Sequence, residues 1–299
     1  MNLINKPNTK KFIIIIGILF FPIQNSFTKW GFYAHKKINE MAIYTLPDDL
    51  RSFFLKNSHA IISLAVLPDQ RRYSMDSEAE KHYMDLDFYL EQAIFLNDSI
   101  PYSQKIHFFN KEQLASHGIA AWNLPIVYRS LVRAFIRKDS DEIIKRAAEL
   151  GHYLADLHVP LHTTSNYDGQ KTGQTGLHSF WESKIPEYVG NQIIDFTGKA
   201  SYISKVEDST WKWIFQSYKL VNEVLKKEQF IRKTIPKGKL YTYEKRGNNL
   251  IRIESKIFIE KFHHSLDGMV ENQFNLSIKH LGDLWYTAWL EAGEPPLID

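Results

Sequence analysis

Apolar residues recur three and four positions apart along most of the 299-residue chain, the period of one face of a helix, and no run of strand-like alternation appears. The pattern predicts an all-α fold. Residues 30–47 (WGFYAHKKINEMAIYTLP) read as a short extended lead-in and then a helix with Ile38, Met41, Ala42 and Leu46 on one face, ended by Pro47. Residues 49–65 carry a second apolar pattern, and LPDQRRY at 67–73 breaks it. HYMDLDFY at 82–89 has no clean helical period, and 90–118 read as loop with helical pieces.

Pro125 suits the first position of a helix whose face is Ile126, Leu131, Val132 and Phe135, running to Lys138. Asp139 followed by Glu142 resembles a capping box, and it opens a helix through Ile143, Ile144, Ala147, Leu150 and Leu154. Trp211, Ile214, Phe215, Tyr218 and Val224 place another helix over 204–225. Phe258, Phe262, Met269, Phe274, Ile278, Leu281 and Trp285 make 255–292 helical, closed by Gly293 and Pro295. The intervening stretch 226–246 carries eight basic residues against two acids, with Phe230, Tyr241 and Tyr243 interleaved; it could track phosphates, but a solvated basic loop is the preferred reading. The Thr-, Gly- and Asn-rich 163–176 reads as a long loop.

The N-terminus departs from this pattern. Lys6, Lys10 and Lys11 precede the apolar run FIIIIGILFFPI, and small residues follow at Ser26 and Thr28, the order of a secretory signal over 1–28. The run is too short for a comfortable bilayer span, so no stable membrane anchor is expected. The remainder, 29–299, is expected to be one exported domain, periplasmic or extracellular. Losing residues 1–28 removes three lysines and no acid, which takes the net charge from +3 to zero and excludes a global basic signature for nucleic acid. With no cysteine in the chain, neither a disulfide framework nor a thiolate metal site is possible.

Candidate chemistry is concentrated in HYLADLHVPLHTTSNYDGQKTGQTGLHSFWE, His152 to Glu182, which holds four histidines and three carboxylates in 31 residues. His152/Asp156 and His178/Glu182 are i, i+4 pairs, so on a helix each presents a nitrogen and an oxygen on one side. Imidazole and carboxylate are the ligands zinc takes when thiolate is absent. His162, just after Pro160 has stopped the helix, can point back to the same place. One such pair alone is more often a surface ion pair; two pairs with His162 between them, flanked by Leu154, Leu157, Val159, Leu161, Phe180 and Trp181, favour metal. Upstream, Trp30 with His35, Asp69 with Arg72, and His82 with Asp85 stand out as partners for a multi-metal cluster.

In this order the motifs resemble the three-zinc all-helical superfamily that includes zinc-dependent phospholipase C and the single-strand-specific nucleases of the S1/P1 type. The resemblance implies one zinc held by Asp69, His82, His152 and Asp156, and a second by His162, His178 and Glu182. It implies a third that shares Asp156 and takes His35 with the backbone amine and carbonyl of Trp30, the mature N-terminus in the family. It makes Asp85 the residue that orients the attacking water and Arg72 the one that faces the phosphate, and it puts Tyr83 where the nucleases stack a base. Lys29 is a poor residue at the cleavage position; maturation is nevertheless expected to expose Trp30. Glu182, in the context GLHSFWE, looks like the phospholipases, where the nucleases usually carry Asp.

Three readings follow. A nuclease accounts for WGFYAH, DQRR, HYMD and PLH; a phospholipase C acting on phosphatidylcholine-type lipids accounts for GLHSFWE; a non-enzymatic zinc-binding exported protein is the third. The first is preferred, with a phosphodiester substrate and no obligate protein partner. His59, His107, His117, His263, His264 and His280 have no ligand partner at helical spacing and read as surface or satisfied core residues, and His158 reads as structural.

Overall fold

The protein is described by a computed structural model covering residues 31–297 apart from 196 and 248. The leader expected over 1–28 and the expected ligand Trp30 lie outside the described residues. Among the described residues helices dominate. In chain order they are α1 (Phe32–Ala42), α2 (Asp48–Lys56), α3 (Ser58–Leu64), α4 (Leu67–Arg71), α5 (Leu86–Leu90), α6 (Tyr102–Lys105), α7 (Lys111–His117), α8 (Ala120–Arg137) and α9 (Ser140–Leu157). After the 163–176 loop come the short α10 (Leu177–Ser179), a π turn at Phe180–Lys184, α11 (Ile185–Val189) and the long α12 (Val206–Thr234), and the chain ends with α13 (Lys256–Ser265) and α14 (Met269–Glu291).

The core forms where α9 packs against α1, α3, α8 and α14. Trp285 of α14 is fully buried; its ring centroid lies 4.7 Å from that of Phe54, and its indole N–H donates to the Ala147 carbonyl at 3.1 Å. Burying each such large side chain contributes roughly 2–3 kcal/mol, which is what holds short helices such as α3 and α5 that would not persist alone. Gly151 lets α1 approach α9 closely, since a Cβ there would lie 2.3 Å from Asn39 Oδ1.

Three features differ from the sequence expectation. α8 begins at Ala120, so Pro125 sits inside it; burial of Ala120, Ala121, Trp122 and Leu124 outweighs the missing proline N–H. Asp139 does cap α9, accepting from the Glu142 N–H at 3.1 Å, but the Glu142 carboxylate turns to Arg146 at 2.9 Å instead of closing the box. The basic stretch 226–246 is not a loop. Its first part extends α12 to Thr234, and its last part is strand β1 (Tyr241–Arg246), paired antiparallel with β2 (Asn249–Glu254) from Tyr241↔Glu254 to Arg246↔Asn249. Alternation of Tyr241 and Tyr243 with Ile251 and Ile253 across the turn, and Gly247 at φ 58°, suit a two-residue hairpin. No helix among the described residues is long and apolar enough to cross a membrane.

Candidate metal centre and cleft

α9 delivers His152 and Asp156 from its last two turns, both buried. The close approach of α1 stacks His35 on His152, ring centroids 3.9 Å apart and 21° from parallel. His82 enters from the segment between the 79–81 turn and α5, edge-on to His152. Asp156 is the hub. Its Oδ2 lies 2.9 Å from His82 Nδ1 and 3.4 Å from His152 Nε2, while Oδ1 lies 3.5 Å from His35 Nε2 and 3.6 Å from His162 Nδ1. Asp69, on α4, stands 3.9 Å from His82 Nδ1 and 3.8 Å from His152 Nε2. On the other side of the hub, His162 Nε2 is 2.8 Å from His178 Nε2, and both nitrogens are 3.0 Å from Glu182 Oε2. Glu182 sits in the π turn, a distortion that recurs at functional sites.

These side chains form three groups whose donor atoms lie within 4.8 Å of one another: His35, His152 and Asp156; Asp69, His82 and His152; His162, His178 and Glu182. The fit to a cation is chemical as well as geometric. His152 Nδ1 donates to the Ala65 carbonyl and His162 Nδ1 to the His82 carbonyl, each at 2.8 Å, so in both rings it is Nε2 that turns to the cluster and, in the neutral ring, offers it a lone pair. Lone pairs of imidazoles and carboxylates converging at about 3 Å repel one another unless a positive charge lies among them. A tetrahedral ion with bonds of ~2.0–2.1 Å spaces its ligands about 3.3 Å apart, close to the separations seen here. His35 Nδ1 and His82 Nε2 are buried without a hydrogen-bond partner.

The electrostatics are those of a charged, desolvated site. Burial pushes the Asp69 carboxyl up and, with the neighbouring His35, drives His152 well below its ordinary range. Burial would also raise Asp156 and Glu182, but the imidazoles around them hold both below the usual carboxylate range. Against the same desolvation, Asp156 and Glu182 push His162 up to about 9.

Around the cluster stand the other expected site residues. Arg72 is at the surface, 3.7 Å from Asp69. Tyr83 is half-buried and its hydroxyl donates to the carbonyls of Ala115 and Ser116 at 3.0 and 3.3 Å, which fixes the ring against α7. Asp85 is buried and raised to about 6 by desolvation, opposed by a 3.1 Å hydrogen bond from His117 Nδ1. His117, read from the sequence as lacking a partner, is thus tied to Asp85; its ring stacks on Phe88 at 3.6 Å. Gly31, next to the undescribed Trp30, runs beside Glu182: a Cβ on it would lie 3.6 Å from Oε1. Behind His82 a buried network passed unnoticed in the sequence. Glu78 Oε1, 3.9 Å from His82 Nε2, takes a hydrogen bond from Tyr153 and one from Arg71 Nη2 at 3.1 Å, and Arg71 also pairs with Glu149. His158 and His280 satisfy each other at 2.9 Å, away from the cluster, and His263 pairs with Glu271.

Asp69, Arg72 and Glu182 also line a cleft of about 400 Å³. An all-α fold with a buried histidine–carboxylate cluster opening on a cleft defines a candidate metallohydrolase. The sequence places it more closely: residues 30–251 match the model of the S1/P1 nuclease family, and the chain belongs to that family. In fold it is similar to the alpha toxin from Clostridium absonum, with a TM-score of 0.51 at 12% identity, the match covering 90% of this chain and 65% of the toxin chain. The chain therefore spans slightly less than two thirds of that protein. No curated protein is significantly similar to it in sequence.

Proposed function

We propose that the protein is an exported zinc-dependent phosphodiester hydrolase that cuts single-stranded nucleic acid. The observation that carries this reading is the convergence of three histidine–carboxylate groups beside a cleft that also holds Arg72. Asp69, His82, His152 and Asp156 would hold one zinc, and His162, His178 and Glu182 a second. A third would take His35, Asp156 and the backbone of Trp30 once the leader is removed. Bound zinc supplies Lewis acidity, lowering the pKa of water and offsetting charge on the phosphoryl oxygens.

The chain's own residues do the rest. Arg72 offers a planar pair of donors to the phosphoryl oxygens, and is free to turn from Asp69 because it lies at the surface. Asp85 accepts a proton from the attacking water, a task suited to a carboxyl whose pKa is lifted to about 6, and His117 fixes its orientation. Tyr83 offers a ring held in place by its hydroxyl; stacking on it requires an unpaired base, which favours single strands over duplex.

A phospholipase C acting on phosphatidylcholine is the second reading, favoured by Glu182 within GLHSFWE. Parallel assays separate the two: purified mature protein with single-stranded DNA or RNA and with phosphatidylcholine, each with zinc and with chelator. Chelator-sensitive cleavage of nucleic acid is the expected result. Release of phosphocholine alone would overturn the nuclease reading, and turnover of neither would overturn the hydrolase.

A further inference from the structure

The β-hairpin forms one wall of the cleft. Opposite Asp69, Arg72, Tyr73 and Glu182, the lining comes from Ile251, Arg252, Ile253 and Glu254, four consecutive residues of β2. Side chains along a strand alternate between faces, so four successive residues can border one cleft only where the strand presents its edge. Among the described residues β2 has β1 on one side and no second strand on the other, so its outward backbone N–H and C=O groups face the cleft unpaired by any sheet.

Arg252 is the cation on that edge, and its setting differs from that of the other arginines nearby. Arg72 is paired with Asp69, and Arg232 is held by Glu228. Arg252 makes no ion pair among the described residues; its guanidinium lies 4.3 Å from the centroid of the Tyr241 ring, and Tyr241 in turn accepts from Arg232 at 2.7 Å. Stacking on the ring leaves the donor edges of a guanidinium available while limiting its rotamers, so an anion is bound at little entropic cost. Across the cleft, Tyr73 is 77% exposed, a large aromatic surface left in water.

A phosphodiester with a single phosphate is served by the metal-ligand cluster and Arg72. A further preorganised cation on the opposite wall, a strand edge rich in donors and acceptors, and an open aromatic ring match a ligand that repeats phosphate, sugar and base. A phosphocholine head group offers one phosphate and no ring to stack.

Resting on the hydrolase reading, we infer that Arg252 on the free edge of β2 binds a phosphate flanking the scissile one, so that the hairpin makes the cleft select an extended single strand over a single-phosphate ester. The family match ends at residue 251, one position before Arg252.

The test is binding, read by fluorescence anisotropy on the zinc-loaded full mature protein. The probes are a labelled phosphorothioate oligothymidylate ten-mer, the corresponding dinucleotide, and phosphatidylcholine vesicles. Arg252→Ala should weaken the ten-mer about tenfold, the loss of one charge-assisted hydrogen bond, and lower the slope of log K against log salt by about 0.7. Arg252→Lys, which keeps the charge but not the stacked fork, should restore the salt slope while recovering less than half of the lost affinity, and dinucleotide binding should move less than twofold. Ten-mer affinity unchanged in Arg252→Ala, an equal loss on the dinucleotide, or a loss seen only with vesicles would each overturn the inference. Failure of the hydrolase reading is separate: it would appear as absent turnover while strand binding still depended on Arg252.

Discussion

The network behind His82 gives the strongest prediction. Glu78 and Glu149 are buried, and Arg71 joins them, pairing with Glu149 through Nη1 and with Glu78 through Nη2 at 3.1 Å, while Nη2 also donates to the Tyr153 hydroxyl at 3.1 Å. Each carboxylate has one other cation, Lys81 at 2.9 Å from Glu78 and Arg146 at 2.7 Å from Glu149. Replacing Arg71 with Met keeps the aliphatic stem but leaves two desolvated carboxylates with half their compensation. Removing one partner from a buried pair costs about 3–5 kcal/mol, where removing a surface partner costs under ~1. For a domain of this size that corresponds to a fall in Tm of roughly 6–15 °C. Because Glu78 lies 3.9 Å from His82 Nε2, close but not hydrogen-bonded to it, its displacement should also loosen the His82 ring, and metal affinity should fall by less than the ~10–100-fold that loss of a hydrogen-bonded outer partner brings. Urea denaturation with excess chelator reads the first effect without any metal contribution, and competition with a zinc indicator reads the second. Arg71→Lys should fall between the two proteins, since it restores charge but cannot reach both acids. A stability loss below 1 kcal/mol in Arg71→Met, with zinc affinity unchanged, would refute this account of the network.

Two further outcomes follow from single contacts. Asp85 is lifted by burial from an ordinary 3.8 to about 6, so between those values the folded protein binds more protons than the unfolded chain and stability falls as pH rises through that window. Asp85→Asn should therefore gain about 3 kcal/mol on wild type between pH 3.5 and pH 7 in chelator while losing hydrolysis; a gap that does not widen with pH would count against a desolvated carboxyl. Gly151→Ala puts a methyl group 2.3 Å from Asn39 Oδ1, forcing α1 and α9 apart by about 1 Å; overpacking of ~1–3 kcal/mol should exceed the ~1 kcal/mol helix-propensity gain. The double variant Gly151→Ala/Asn39→Ala should be less destabilised than the sum of the two, and strict additivity in urea titrations would show that the helices do not meet there.

Most helices were legible because burying one side of an amphipathic segment leaves a period of 3.6 that any chain must write locally. α9 is the clearest case: the Asp139 cap, the apolar stripe and the i, i+4 pair at its end all appear within 18 residues. What escaped were contacts without a local period. His117 reaches Asp85 across 32 positions, and Arg71 reaches Glu149 across 78, so neither has a partner at helical spacing to betray it. The hairpin escaped for another reason. Its charges suggested solvent, and solvent does border it: the register puts Tyr241 and Tyr243 on one face and Ile251 and Ile253 on the other, so neither face carries the unbroken apolar alternation that announces a strand. Arg252, just outside that basic segment, carries no signal in composition; stacked on Tyr241 at the edge of a cleft that holds Asp69 and Glu182, it is placed to meet a phosphate.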